Sequence, residues 1–142
     1  MRLYEFGPTR ALRARWTLQE LGVGFEAVQI DLTAGEASTP EFLRLNPAAK
    51  LPVLVDGDQV LTESVAIVLY LAEKYPDGGV LPKNLADRAQ AYRWLLFTAT
   101  ELEQPLWRMA RHGFVYPKEK RSPQDIRLAR EDFRPMVEVM DR

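Results

Sequence analysis

The chain has 142 residues and a mass of 16.3 kDa, room for one domain, or for one domain and part of another. Its formal net charge is -1 with 27% charged residues, which lacks the basic excess of a nucleic-acid binder, so no nucleic-acid partner is expected. It has no cysteine, which excludes disulfides, thiolate zinc sites and cysteine-based redox catalysis; any thiol chemistry must use a ligand's sulfur. The longest apolar run, Val65–Ala72, is far shorter than the ~18 residues of a membrane span. Met1 to Phe6 lacks a signal-peptide pattern, so a soluble, cytoplasmic protein with no membrane partner is expected.

The first segment, "RLYEF" (Arg2 to Phe6), is rich in strand formers and stops at the turn pair Gly7-Pro8. A helix follows from about Ala11 to Leu21. Ala11, Ala14, Leu18 and Leu21 recur at three- and four-residue steps, while Arg13, Arg15, Gln19 and Glu20 fall on what is expected to be an exposed face. Gly22 stands where a left-handed cap is wanted. "FEAVQIDL" (Phe25 to Leu32) reads as a second strand, completing one parallel crossover unit. "TPEFLRLN" is predicted as a short helix with Thr39 as N-cap and Pro40 at its first position.

"PVLV" and "QVLT" flank Asp56-Gly57-Asp58, the chemistry of a hairpin turn between antiparallel strands. Glu63-Ser64 then opens a helix, "SVAIVLYLAEKY", apolar nearly all round and therefore expected to be covered on two sides. The order of elements predicts an α/β domain with a mixed four-stranded sheet over residues 1–77. After the linker "GGVLPKN" the pattern is helical only, over 85–142. Asn84 with Asp87 resembles a capping box, and the helix it opens can run to about Arg111 with a kink at Pro105. "HGFVYPKEKR" is expected to be loop, and Ser122-Pro123-Gln124-Asp125 starts another helix.

"NPAAKLPVLVDGDQVLTESVAIVLYL" (Asn46 to Leu71) resembles the signature region of the cytosolic glutathione S-transferase family: an Asn-Pro pair, an apolar residue before a cis-proline, a hairpin, then an acid and a serine opening an apolar helix. "LYEFGPTRALRARWTLQELG" is similar to the first strand, catalytic loop and first helix of bacterial, theta-like and delta-like members. The beta-like members carry a cysteine in that loop that is absent here. The resemblance implies a thioredoxin-like N-terminal domain followed by an all-α domain. Family members run on for some sixty further residues, so the helical domain is expected to be incomplete, cut short at its C-terminal end.

What the resemblance implies for the site follows from the ligand. Glutathione needs backbone pairing at its cysteinyl centre and charge-matched groups at its γ-glutamyl end. A cis bond before Pro52 turns the Leu51 backbone outward to pair like a short added strand. Ser64, at a helix start, offers its hydroxyl and N–H to the ligand's carboxylate, Glu63 faces its ammonium, and Lys50 approaches the glycyl carboxylate. Thiol activation is expected from Thr9, four residues before Arg13, where relatives carry serine; threonine keeps the hydroxyl but adds a methyl group and a stiffer χ1. Arg10 ranks second and Tyr4 third. Trp107, Met109, Phe114 and Tyr116 are the candidates for a hydrophobic second-substrate site, against the plainer reading of core packing.

The single histidine, His112, has no second imidazole or cysteine to join it, so no metal is expected. The implied activity is detoxifying conjugation of glutathione, a cosubstrate, to small hydrophobic electrophiles by a homodimer. The alternative is a binding or dimerisation module without turnover. A cysteine-dependent reductase of the same fold is excluded by composition.

Overall fold

The computed structural model describes residues 1–141, which divide into two compact units at Arg88/Ala89. In the first, β1 (Arg2–Glu5), β2 (Glu26–Gln29), β3 (Val53–Asp56) and β4 (Gln59–Thr62) form one sheet in the order β2-β1-β3-β4. β1 and β2 are parallel, while β3 is antiparallel to both β1 and β4. The mixed sheet is thus the one predicted, with a two-residue hairpin turn that pairs Asp56 with Gln59 and puts Gly57 at φ 60°.

Strand alternation sorts the core onto two faces. Leu3 and Leu54 point to α1 (Ala11–Glu20) and α3 (Ser64–Lys74), packing with Ala14, Leu18, Ile67 and Leu71. Val53 and Val55 point the other way, toward Phe42 of α2 (Pro40–Leu45). β3 is therefore buried on both faces, which is why Val53, Leu54 and Val55 read as an unbroken apolar run. Thr39 caps α2 as its sequence promises, accepting the Phe42 N–H at 3.3 Å.

β2 is shorter than the predicted Phe25–Leu32. It is an edge strand, and the Asp31 carboxylate ends it by accepting the N–H groups of Thr33 (2.7 Å) and Ala34 (3.1 Å), an Asx turn that competes with further pairing. The expected exposed arginine face of α1 is also corrected. Arg15 forms an ion pair with Glu5, donating from Nε at 2.8 Å, and its guanidinium stands 5.5 Å from the Phe25 ring. Arg13 is likewise half-buried and bonded across to α3. Both long stems follow apolar surface while their heads find partners, as arginine permits.

Glu5 is 6% exposed and also accepts Gln29 Nε2 at 2.7 Å. Its carboxyl is held below the usual range by the Arg15 hydrogen bond, against the opposing effect of burial. A depressed carboxyl stabilises the fold above its unfolded value, and that contribution is lost as pH falls through the folded value. Glu5→Gln should therefore cost about 1–3 kcal/mol near neutral pH. Denaturant titration should show the difference from wild type shrinking as pH falls below the ordinary carboxylate range and through the lowered folded value.

The second unit is helical: α4 (Leu85–Phe97), whose first turn precedes the division and belongs to the first unit, then α5 (Glu103–Ala110) and α6 (Pro123–Met140). Asn84 caps α4 by accepting the Asp87 N–H at 2.8 Å. The predicted single run to Arg111 is broken by a π turn, Thr98–Leu102, in which the Glu103 N–H bonds the Thr98 carbonyl. Pro105 offers no N–H to the carbonyl four residues back, and the ladder widens in the turn that precedes it. A second π turn, Arg111–Val115, replaces part of the expected loop, with the Tyr116 N–H on the Arg111 carbonyl at 2.8 Å.

Ser122 caps α6 through the Asp125 N–H at 3.1 Å. The helix continues through Pro135 to Met140; Pro135 and Glu131 are exposed, so water can satisfy the carbonyl that the proline leaves unbonded. Ala129, fully buried, and the buried Pro105 and Leu102 let the helices approach closely, and Arg108 ties α5 to Asp125 (2.9 Å) and Asp132 (3.1 Å) on α6.

Candidate functional site

Three loops of the first unit carry the residues of interest. The first joins β1 to α1. Gly7 takes φ 32° although a Cβ there would meet nothing within 4 Å, so its role is conformational rather than spatial. The Gly7 carbonyl accepts the Thr9 N–H at 2.9 Å, and the Thr9 carbonyl accepts the Leu12 N–H at 3.1 Å. The Thr9 hydroxyl accepts the Ala11 N–H at 3.3 Å. It is therefore fixed at the start of α1 through a lone pair and keeps its proton to donate.

The second loop runs from α2 to β3. Asn46 is 6% exposed; its Nδ2 donates to the Lys50 carbonyl at 2.7 Å, and its Oδ1 accepts the Ala48 N–H at 3.1 Å. That clamp encloses Ala49, held in the left-handed region at φ 54°. The Leu51–Pro52 peptide is cis. Pro52 is buried, and Leu51 lies beyond the last paired residues of both ladders, which end at Val53. Lys50 is exposed.

The third loop joins β4 to α3. Glu63 is exposed at φ 64°, ψ 114°, a conformation that costs a residue with a Cβ about 1–3 kcal/mol and persists only where the surrounding structure over-determines the backbone. Ser64 is 5% exposed and opens an 11-residue helix, where the dipole favours an anion. Arg13 Nη1 donates to Ser64 Oγ at 3.1 Å. The guanidinium occupies a lone pair of that hydroxyl, so the Ser64 proton is directed to another acceptor.

The first loop and the third are thus connected: the Thr9 hydroxyl accepts the first N–H of the helix that carries Arg13, and Arg13 holds the serine that opens α3. The sequence pattern places Arg13 on an exposed helix face and makes it the landmark for Thr9. Its contact spans 51 positions and leaves no local periodic signal. Tyr4 lies on the opposite sheet face from Leu3, its ring edge-on to Phe42 at 6.2 Å. Arg10, half-buried, follows Thr9 directly. In the second unit, Trp107 is 41% and Phe114 72% exposed. Met109 is half-buried, and Tyr116 lies under the Arg111 guanidinium (4.6 Å). Among the described residues no cluster of acids and histidine could hold a metal ion, and no helix is long and apolar enough to cross a membrane.

Residues 1–73 match the family model described as "Glutathione S-transferase, N-terminal domain". The sequence is 40% identical over 131 residues to glutathione S-transferase F10 of Arabidopsis thaliana, covering 91% of this protein and 60% of that relative. It is 37% identical over 145 residues to glutathione S-transferase F9 of the same plant, covering 99% of this protein and 67% of the relative. A solved structure with the same fold is the glutathione transferase URE2P6 from Phanerochaete chrysosporium in complex with oxidised glutathione. It is 26% identical with a TM-score of 0.85, over 98% of this protein and 65% of that one.

Proposed function

Since the protein belongs to the cytosolic glutathione S-transferase family, we propose that it binds glutathione in its first unit and transfers the thiol to small hydrophobic electrophiles. The observation that carries this reading is the linked pair at the helix starts: a hydroxyl fixed at α1 with its proton to donate, and a serine at α3 held by Arg13. In the proposed complex Leu51, presented by the cis bond before Pro52, pairs with the cysteinyl backbone of glutathione. Ser64 and the N-terminus of α3 receive the γ-glutamyl carboxylate, Glu63 faces the ammonium, and Lys50 reaches toward the glycyl carboxylate.

The chemistry needs a thiolate. A free thiol has a pKa near ~8.5, so only a few per cent is ionised at neutral pH. The Thr9 hydroxyl donates to the sulfur, the thiol proton leaves to solvent, and the sulfur lone pair forms the new carbon–sulfur bond as the electrophile's leaving group departs. Arg10 adds positive charge beside that centre, and Tyr4 is the remaining candidate. Trp107, Met109, Phe114 and Tyr116 are proposed to receive the apolar part of the electrophile. Detoxification in the cytoplasm and a homodimer belong to the same proposal. So does the finer placement among bacterial, theta- or delta-like members, which rests on the likeness of the first strand, loop and first helix; the two plant relatives carry F designations.

The test is turnover of an activated aryl halide with glutathione: conjugate formation above the uncatalysed rate supports transfer. Glutathione binding without turnover would establish the second reading, a carrier, which is favoured by threonine standing where relatives carry serine: its added methyl group and stiffer χ1 aim the donor differently. Glu63→Gly separates binding from folding. Relief of the left-handed backbone should raise stability by about 1–2 kcal/mol, while loss of the carboxylate weakens glutathione binding. Denaturation midpoints and a binding isotherm check both halves.

A further inference from the structure

We propose that His112 is a pH-sensitive latch holding the π turn Arg111–Val115 to the start of α6. Its Nδ1 accepts the backbone N–H of Ser122 at 3.2 Å. Ser122 is the N-cap of α6, and its hydroxyl in turn accepts the Asp125 N–H. One imidazole lone pair therefore secures the residue on which the helix start depends. A histidine that accepts at Nδ1 must carry its single proton on Nε2, and Nε2 is the atom that faces Asp125 Oδ2, at 3.9 Å. The side chain is 18% exposed, so little water is at hand to replace the Ser122 bond.

Protonation turns Nδ1 from an acceptor into a donor directed at another donor, and the Ser122 bond is lost. The surrounding charges decide what the imidazolium does next. Asp125 attracts it, although the Asp125 carboxylate is already engaged by Arg108 from α5, which holds it below its ordinary range together with the Ser122 bond. Asp132 is bound to the same guanidinium. Arg111 lies over the Tyr116 ring, which meets His112 edge-on at 5.2 Å. Arg121 donates to the carbonyls of Tyr116 and Phe114. The neutral ring is thus the latched form and the charged ring the released one. Because the latched form binds fewer protons, the latch tightens as pH rises. It ties α6 to the turn that carries Phe114 whether or not that turn receives a substrate.

The test is amide exchange at Ser122, expressed as a protection factor so that the intrinsic pH dependence of exchange cancels, compared with the His112→Asn variant. Asparagine offers a non-titrating acceptor near the Nδ1 position. In the wild type the protection factor should fall by roughly fivefold as the imidazole becomes charged, the factor expected for one ordinary hydrogen bond. In His112→Asn it should stay level. Nitrogen-15 shifts of the wild-type imidazole at neutral pH should place the proton on Nε2. Parallel pH profiles for the two proteins, or a proton on Nδ1, would overturn the proposal.

Discussion

Thr9→Val should lower turnover with glutathione and an activated aryl halide by roughly 10- to 100-fold while leaving the KM for glutathione nearly unchanged. Valine keeps the branched shape and removes the hydroxyl. A hydrogen bond to a charged group contributes about 1.5–3 kcal/mol, and in the proposed complex that bond forms chiefly with the thiolate, so its loss falls on kcat rather than on binding. The variant also loses the hydrogen bond from the Ala11 N–H, an effect of about 1 kcal/mol. Thr9→Ser controls for this: it retains the acceptor and the donor and should keep most of the activity. A loss of turnover equal in both variants would assign the effect to the shape of the loop.

Ser64→Ala should weaken glutathione binding by roughly 10- to 100-fold and change kcat far less. Ser64 is nearly buried, so its hydroxyl acts in a desolvated setting, and a charge-assisted bond to a carboxylate is about twice as strong as a neutral one. The substitution also strips Arg13 of the acceptor it reaches at 3.1 Å. Arg13→Lys therefore makes a sharper comparison. It retains the charge but not the planar fork, and should weaken binding by a smaller factor than Ser64→Ala while leaving the stability of the unit nearly unchanged. Calorimetric titration with glutathione reads both, and equal affinities in all three proteins would remove Ser64 and Arg13 from the site.

Much of this arrangement was legible from local chemistry. Thr39, Ser122 and Asn84 cap the helices they were expected to cap because a side-chain acceptor and the amides it serves lie within three residues. The hairpin at Gly57-Asp58 is also a local pattern. The cis Leu51–Pro52 bond and the roles proposed for Thr9 and Ser64 came from family resemblance. No composition rule would have selected them.

The rest was hidden for physical reasons. Charged residues at helical spacing look like a solvated face until a distant partner is known. Arg15 meets Glu5 across ten positions, and Arg13 meets Ser64 across 51. Glu63 gives no sign in its own side chain that its backbone will take φ 64°, because that geometry is imposed by the strand and helix on either side. The π turns were missed because proline marks only the bond it cannot make. Which neighbouring turn widens in response depends on packing such as that around Leu102 and Ala129.

The most direct test of the central claim is a pH titration of the ultraviolet thiolate absorbance of glutathione bound to this protein. A midpoint roughly one to two units below that of free glutathione is predicted, the shift that one charge-assisted hydrogen bond supplies. An unshifted midpoint, or no binding at all, would contradict the account.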